Sequence, residues 1–123
     1  MTTSTSRRYN LLSAAFAFVT WGAWAYYINH DHGWQRGLIA ALAQGSLSFC
    51  MTLLVVRAVT WLYHRMPGLP LRQWLSAGLT TALAASCLAT THYLVGTPNI
   101  LRTIAPGLTV AFSFGVVTAY KLR

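Results

Sequence analysis

The chain has 123 residues, of which 55% are hydrophobic and 8% charged, against ~25% charged in an ordinary soluble domain. A chain of this length has room for one domain and cannot bury so much apolar surface away from water, which excludes an ordinary soluble fold and makes lipid its natural solvent. The formal net charge of +8 comes from nine Lys or Arg against a single acid, Asp31, and the basic residues lie in breaks between apolar stretches instead of on one face, which excludes a nucleic-acid surface.

Four apolar stretches follow one another: 9–29, 37–62, 73–95 and 100–120, the last with Thr103 as an alternative start. Each is long enough for a membrane span, which needs ~20 residues. They predict an all-α fold, an integral membrane four-helix bundle that takes up residues 1–123 as a single transmembrane domain. The connections between them are short, so consecutive helices are expected to run antiparallel.

The first stretch also has features of an export signal: Arg7 and Arg8 precede an apolar run that leads to Ala23-Trp24-Ala25. The run is long for a signal, and the bulky Trp21 and Trp24 crowd the cleavage position, so a retained helix is expected. In the second stretch Arg57 is the one charge well inside, within snorkelling reach of the nearer headgroups. Ahead of the fourth stretch, Thr97-Pro98 reads as a helix cap followed by proline at the first helical position. Pro106 then falls inside the helix and removes one backbone hydrogen bond, which predicts a kink or a late start.

Orientation follows from the basic residues. Arg7, Arg8, Arg65, Arg72, Lys121 and Arg123 fall on one side, and Arg36 and Arg102 on the other. The positive-inside rule puts both termini in the cytoplasm and the protein in the cell inner (plasma) membrane as a multi-pass chain. A repeat is also suggested. Leu12-Ser13-Ala14 and Gly33 recur as Leu75-Ser76-Ala77 and Gly96 at one constant spacing, and Ala43-Gln44-Gly45 recurs as Ala105-Pro106-Gly107 one residue off it. This reads as a duplicated helical hairpin of parallel orientation, unlike the inverted repeats of many transporters.

The chemistry-bearing residues are few. Gln44 is the strongly polar uncharged side chain deep in a stretch and must find a partner. With Ser48, Thr80 and Thr91 it outlines a polar seam, one of several weakly polar helix faces that include Ser76, Ala84 and Cys87 on the third stretch and Gly107, Val110, Ser113 and Val117 on the fourth. Such faces serve helix packing first and a substrate path second. Arg36, Arg57 and Arg102 are candidate contacts for an anionic group. His30, His32 and His92 lie toward one end and, with Asp31, have the donor chemistry for zinc, copper or a haem iron, though not the spacing of a known motif. Cys50 and Cys87 lie mid-span, where cysteines usually behave as small buried hydrophobes.

The spans hold no Asp or Glu, so the carboxylate that usually couples transport to protons or sodium is missing, and no serine or cysteine has an evident base. The expectation is therefore a non-catalytic inner-membrane protein with no cofactor, acting as a small accessory subunit or partner in a larger envelope assembly. Its expected partners are membrane lipids and another membrane protein or further copies of itself, with no nucleic acid. The alternatives are a homo-oligomeric transporter or lipid flippase for an anionic substrate, and a metal- or haem-binding membrane protein.

Overall fold

The structure, a computed structural model, describes residues 3–123, with side chains from Arg7 onward. It is all-helical among the described residues: α1 (Thr3–Asn29), α2 (Trp34–His64), α3 (Arg72–Val95) and α4 (Ile100–Lys121), with a short 3-10 turn, His30–His32, between the first two. The apolar stretches and the helices coincide closely. The helices extend past the apolar residues at several ends, because backbone hydrogen bonding continues into polar sequence once a helix is nucleated.

Three helical segments are long and apolar enough to cross a membrane: Arg7–His32, Trp34–His64 and Ile100–Lys121. α3 has the length, with 24 residues, but is more polar, carrying Ser76, Thr80, Thr81, Ser86, Thr90, Thr91 and His92. The expected set of four spans is thus met in length by all the helices and in composition by three. α2, at 31 residues, is about 46 Å long and exceeds a hydrocarbon layer of ~30 Å.

α2 packs against every other helix, α4 packs against α1 and α3, and α1 and α3 do not meet. The interior is built from small side chains: Ala14, Ala25, Ala40, Ala77 and Ala119 are completely buried, while Leu12, Phe16, Leu83, Tyr93 and Leu101 point outward. Large apolar groups outside and small ones inside reverse the soluble pattern and suit helices that associate by close approach in lipid. The approach is closest between α1 and α2. A Cβ on Gly45 would lie 3.0 Å from the Phe18 carbonyl oxygen, and one on Gly37 3.0 Å from the Tyr26 ring. At the other end, Val59, Tyr63 and Ala119 form a small apolar cluster joining α2 to α4.

Three expectations are corrected. α4 begins at Ile100 behind Asn99, not at Pro98, because the backbone at Thr97 is taken up in closing the end of α3. Cys50 and Cys87 are exposed on the outer surface, not buried, since the inward positions at their levels are held by Ser48 and Leu88. Val110, Ser113 and Val117 do not face inward. α4 instead buries Thr103, Ile104, Gly115 and Ala119, which places its packing face about a quarter-turn or more from the expected one.

The hairpin repeat has a structural counterpart. Ala14, Ala17, Ala25 and Asn29 are buried on α1, and their partners at the constant spacing, Ala77, Thr80, Leu88 and His92, are buried on α3. Gly33 and Gly96 both take positive φ, 111° and 78°, where the two hairpins turn.

Candidate functional site

The most constrained region is a set of buried polar side chains toward the end where the two hairpins turn. His92, fully buried near the end of α3, lies 2.8 Å through Nε2 from Gln44 Oε1 on α2. Its Nδ1 lies 2.7 Å from the Thr97 hydroxyl. With the Gln44 amide oxygen facing the ring, Nε2 is the donor of that bond, and Thr97 offers Nδ1 a hydroxyl that can serve either role. The local fold explains Thr97. Gly96 adopts left-handed backbone, and the Thr97 amide donates back to the His92 carbonyl at 2.9 Å, which swings the hydroxyl over the ring. The Gln44 amide nitrogen has only a long contact, 3.5 Å, to Ser48 Oγ.

A second polar group ties the end of α1 to the start of α4. The fully buried Asn29 donates to the Ala25 carbonyl and to Thr103 Oγ1, both at 2.8 Å, and accepts from the Asn99 amide at 2.9 Å. Asn99 returns a bond to the Ile28 carbonyl at 3.2 Å. The Ile28 carbonyl left over at the end of α1 and the Asn99 amide at the start of α4 are thereby each met by a side chain from the other helix end. Pro106 sets up a third tie. Lacking an N–H, it leaves the Arg102 carbonyl four residues back without its helical donor. The Trp24 indole supplies one across the helix interface at 2.9 Å.

The seam expected from sequence is brought together in part. Gln44, Ser48 and Thr80 are buried and Thr91 is half-buried, but the Thr80 hydroxyl bonds its own helix at the Ser76 carbonyl, 2.8 Å away. Among the described residues every buried side-chain polar atom has a partner. Arg36 donates to the Gly96 carbonyl at 2.8 Å, a cation at the end of α3, where the helix dipole favours it. Arg102 lies with Trp24, Tyr27 and Pro106 in a shallow groove of about 430 Å³. Arg57 lies in another, of about 580 Å³, near the far end of α2. The three histidines do not converge. His30 and His32 are exposed, both nitrogens of His92 are engaged within the protein, and no group of three His, Cys, Asp or Glu side chains suited to an ion occurs among the described residues.

Sequence reasoning singled out Gln44, read Thr97 only as a helix cap and Thr103 only as an alternative helix start, did not single out Asn29, and set His92 among surface histidines. One signal was available. A proline inside a helix implies an unsatisfied carbonyl four residues earlier, and an apolar neighbour with a donor, Trp or Asn, is what meets it.

The outer surface of α3 has a separate feature. Gly78, Ala82, Ser86 and Thr90 fall at intervals of four on one face, with Ala82, Ser86 and Thr90 exposed. A Cβ on Gly78 would meet nothing within 4 Å, whereas one on Gly22, Gly37, Gly45 or Gly115 would press on a neighbouring helix. Packing inside the chain accounts for those four glycines and not for Gly78.

Together these features define an all-helical protein with three helices long and apolar enough to cross a membrane, held at one end by buried polar ties between helices. Comparison of the chain with family models, with curated proteins and with solved structures finds no match.

Proposed function

We propose that the chain is a non-catalytic, multi-pass protein of the cell inner membrane with both termini cytoplasmic, a four-helix bundle in which α3 is also a span. It acts as an accessory subunit that docks a helix of a larger membrane assembly against the outer face of α3. The observation that carries this reading is the outward stripe of Gly78, Ala82, Ser86 and Thr90, whose glycine has open space where a side chain would stand. Small residues at intervals of four let another helix approach closely in lipid, where dispersion and weak hydrogen bonds drive association. The polarity of α3 supports the same reading, since the helix least suited to face lipid gains most from a protein partner. So does the interior, whose polar groups are occupied in holding helices together.

The test is purification from the native membrane in mild detergent, with Gly78→Leu and Ser86→Leu beside the wild type. Both positions are outside the chain's own packing, so each change is expected to alter stability by less than about 0.5 kcal/mol and yet to release a stoichiometric partner. Gly45→Ala is the contrast. Its new Cβ would meet the Phe18 carbonyl oxygen at 3.0 Å, so it loosens α1 from α2 and lowers stability by about 1–3 kcal/mol. A wild-type protein that purifies as a bare homo-oligomer, or a partner retained by both α3 variants, sinks the docking reading. The bare oligomer would favour a transporter.

A further inference from the structure

We propose that the far end of α2 with its capping residue, from Val56 to Arg65, binds the headgroup of one anionic glycerophospholipid. Arg57, Trp61 and Arg65 stand at intervals of four on one exposed face, and with Val56, Thr60 and His64 they line an open groove of about 580 Å³. Arg65 lies over the Trp61 ring, 4.5 Å from its centre, so its guanidinium is held along the groove instead of extended into water.

Arg57 is the group that demands an anion. It lies seven residues before the end of α2, about 10 Å along the axis, within a segment long and apolar enough to cross a membrane. A cation at that depth is costly unless it is paired or drawn toward the interface. Among the described residues it has no ion-pair partner. The one acid of the chain, Asp31, lies beyond the opposite end of α2 beside His30. No side-chain carboxylate of the chain stands beside Arg57 to neutralise it, and an anionic lipid can.

The chemistry of the groove selects the occupant. A phosphodiester accepts hydrogen bonds from two guanidiniums, Arg57 from the acyl side and Arg65 from the headgroup side. The Thr60 hydroxyl lines the same groove, and the Trp61 ring takes the interfacial position that indoles favour beside glycerol and ester groups. Val56 continues the surface toward the acyl chains. The groove is mostly apolar in its lining, which suits a phosphate that carries a hydrocarbon tail better than a free one. This surface lies on α2 and does not depend on the stripe of α3.

The test uses the full chain in mild detergent with equimolar phosphatidylglycerol and phosphatidylcholine, with bound lipid counted by native mass spectrometry. The wild type is expected to retain phosphatidylglycerol in preference. Arg57→Gln and Arg65→Gln should each lower that retention roughly tenfold, the scale of losing one charge-assisted contact. Arg123→Gln, which removes a cation outside the groove, should leave it unchanged. Because Arg57 and Arg65 are exposed, both variants keep the fold, and matching circular dichroism verifies this. Equal retention across all variants, or equal retention of the two lipids by the wild type, overturns the proposal. So does displacement of the lipid by inorganic phosphate alone, which would make the groove a site for the free anion.

Discussion

A buried imidazole needs a partner for each nitrogen, and His92 finds them on two different elements, Gln44 on α2 and Thr97 just beyond α3. Gln44→Leu keeps the volume and removes the acceptor, which strands the Nε2 hydrogen in the interior. The expected cost is about 1–3 kcal/mol of stability. His92→Leu carries a similar cost, because it strands the Gln44 oxygen. The double change removes both members together, so it should cost less than the two single losses combined by at least about 0.5 kcal/mol. Thermal unfolding in detergent measures all three variants. Strict additivity would mean that the bond between Gln44 and His92 contributes nothing.

Between elements, Pro106 and Trp24 form one device. Proline frees the Arg102 carbonyl on α4, and the indole from α1 satisfies it, so a defect in one helix becomes a tie to another. Trp24→Phe should cost about 1 kcal/mol from the lost bond alone. In a Pro106→Ala background the new amide at 106 restores the intrahelical donor, and the same Trp24→Phe change should then cost markedly less. Unfolding midpoints of the four proteins decide the matter, and an equal loss in both backgrounds would rule the device out. Asn29 and Asn99 act in the same way, joining the end of α1 to the start of α4 through backbone groups that helix ends leave open.

For the whole molecule, α2 meets every other helix, α4 also meets α1 and α3, and α1 and α3 stay apart. The proposed four-helix bundle with short turns puts both hairpin turns at one end, and the start of α1 and the end of α4 at the other. The proposed orientation makes a direct prediction. In a background with Cys50→Ala and Cys87→Ala, a membrane-impermeant maleimide should label Asp31→Cys in intact cells and Arg123→Cys only after lysis. The reverse pattern would invert the topology. Cys50 and Cys87 themselves should stay unlabelled in intact membranes. They face outward from mid-helix, and with the helices spanning as proposed a membrane-impermeant reagent does not reach that depth.

The sequence by itself determined the helices, their lengths and the apolar character of most of them. A run of apolar residues long enough to cross lipid satisfies its backbone internally in one way only, so local composition is sufficient. It also marked Gln44 as a residue in need of a partner. Only the tertiary structure decided which faces meet. The helix surfaces are so uniformly small or apolar that periodicity does not distinguish the packed side of α4 from the side bearing Val110, Ser113 and Val117, and close backbone approach at a few glycines makes the choice. The polar ties are tertiary for the same reason. His92, Asn29 and Trp24 each depend on an atom of another helix, and the distances that matter, near 2.8 Å, are properties of the assembled interface and not of any one segment.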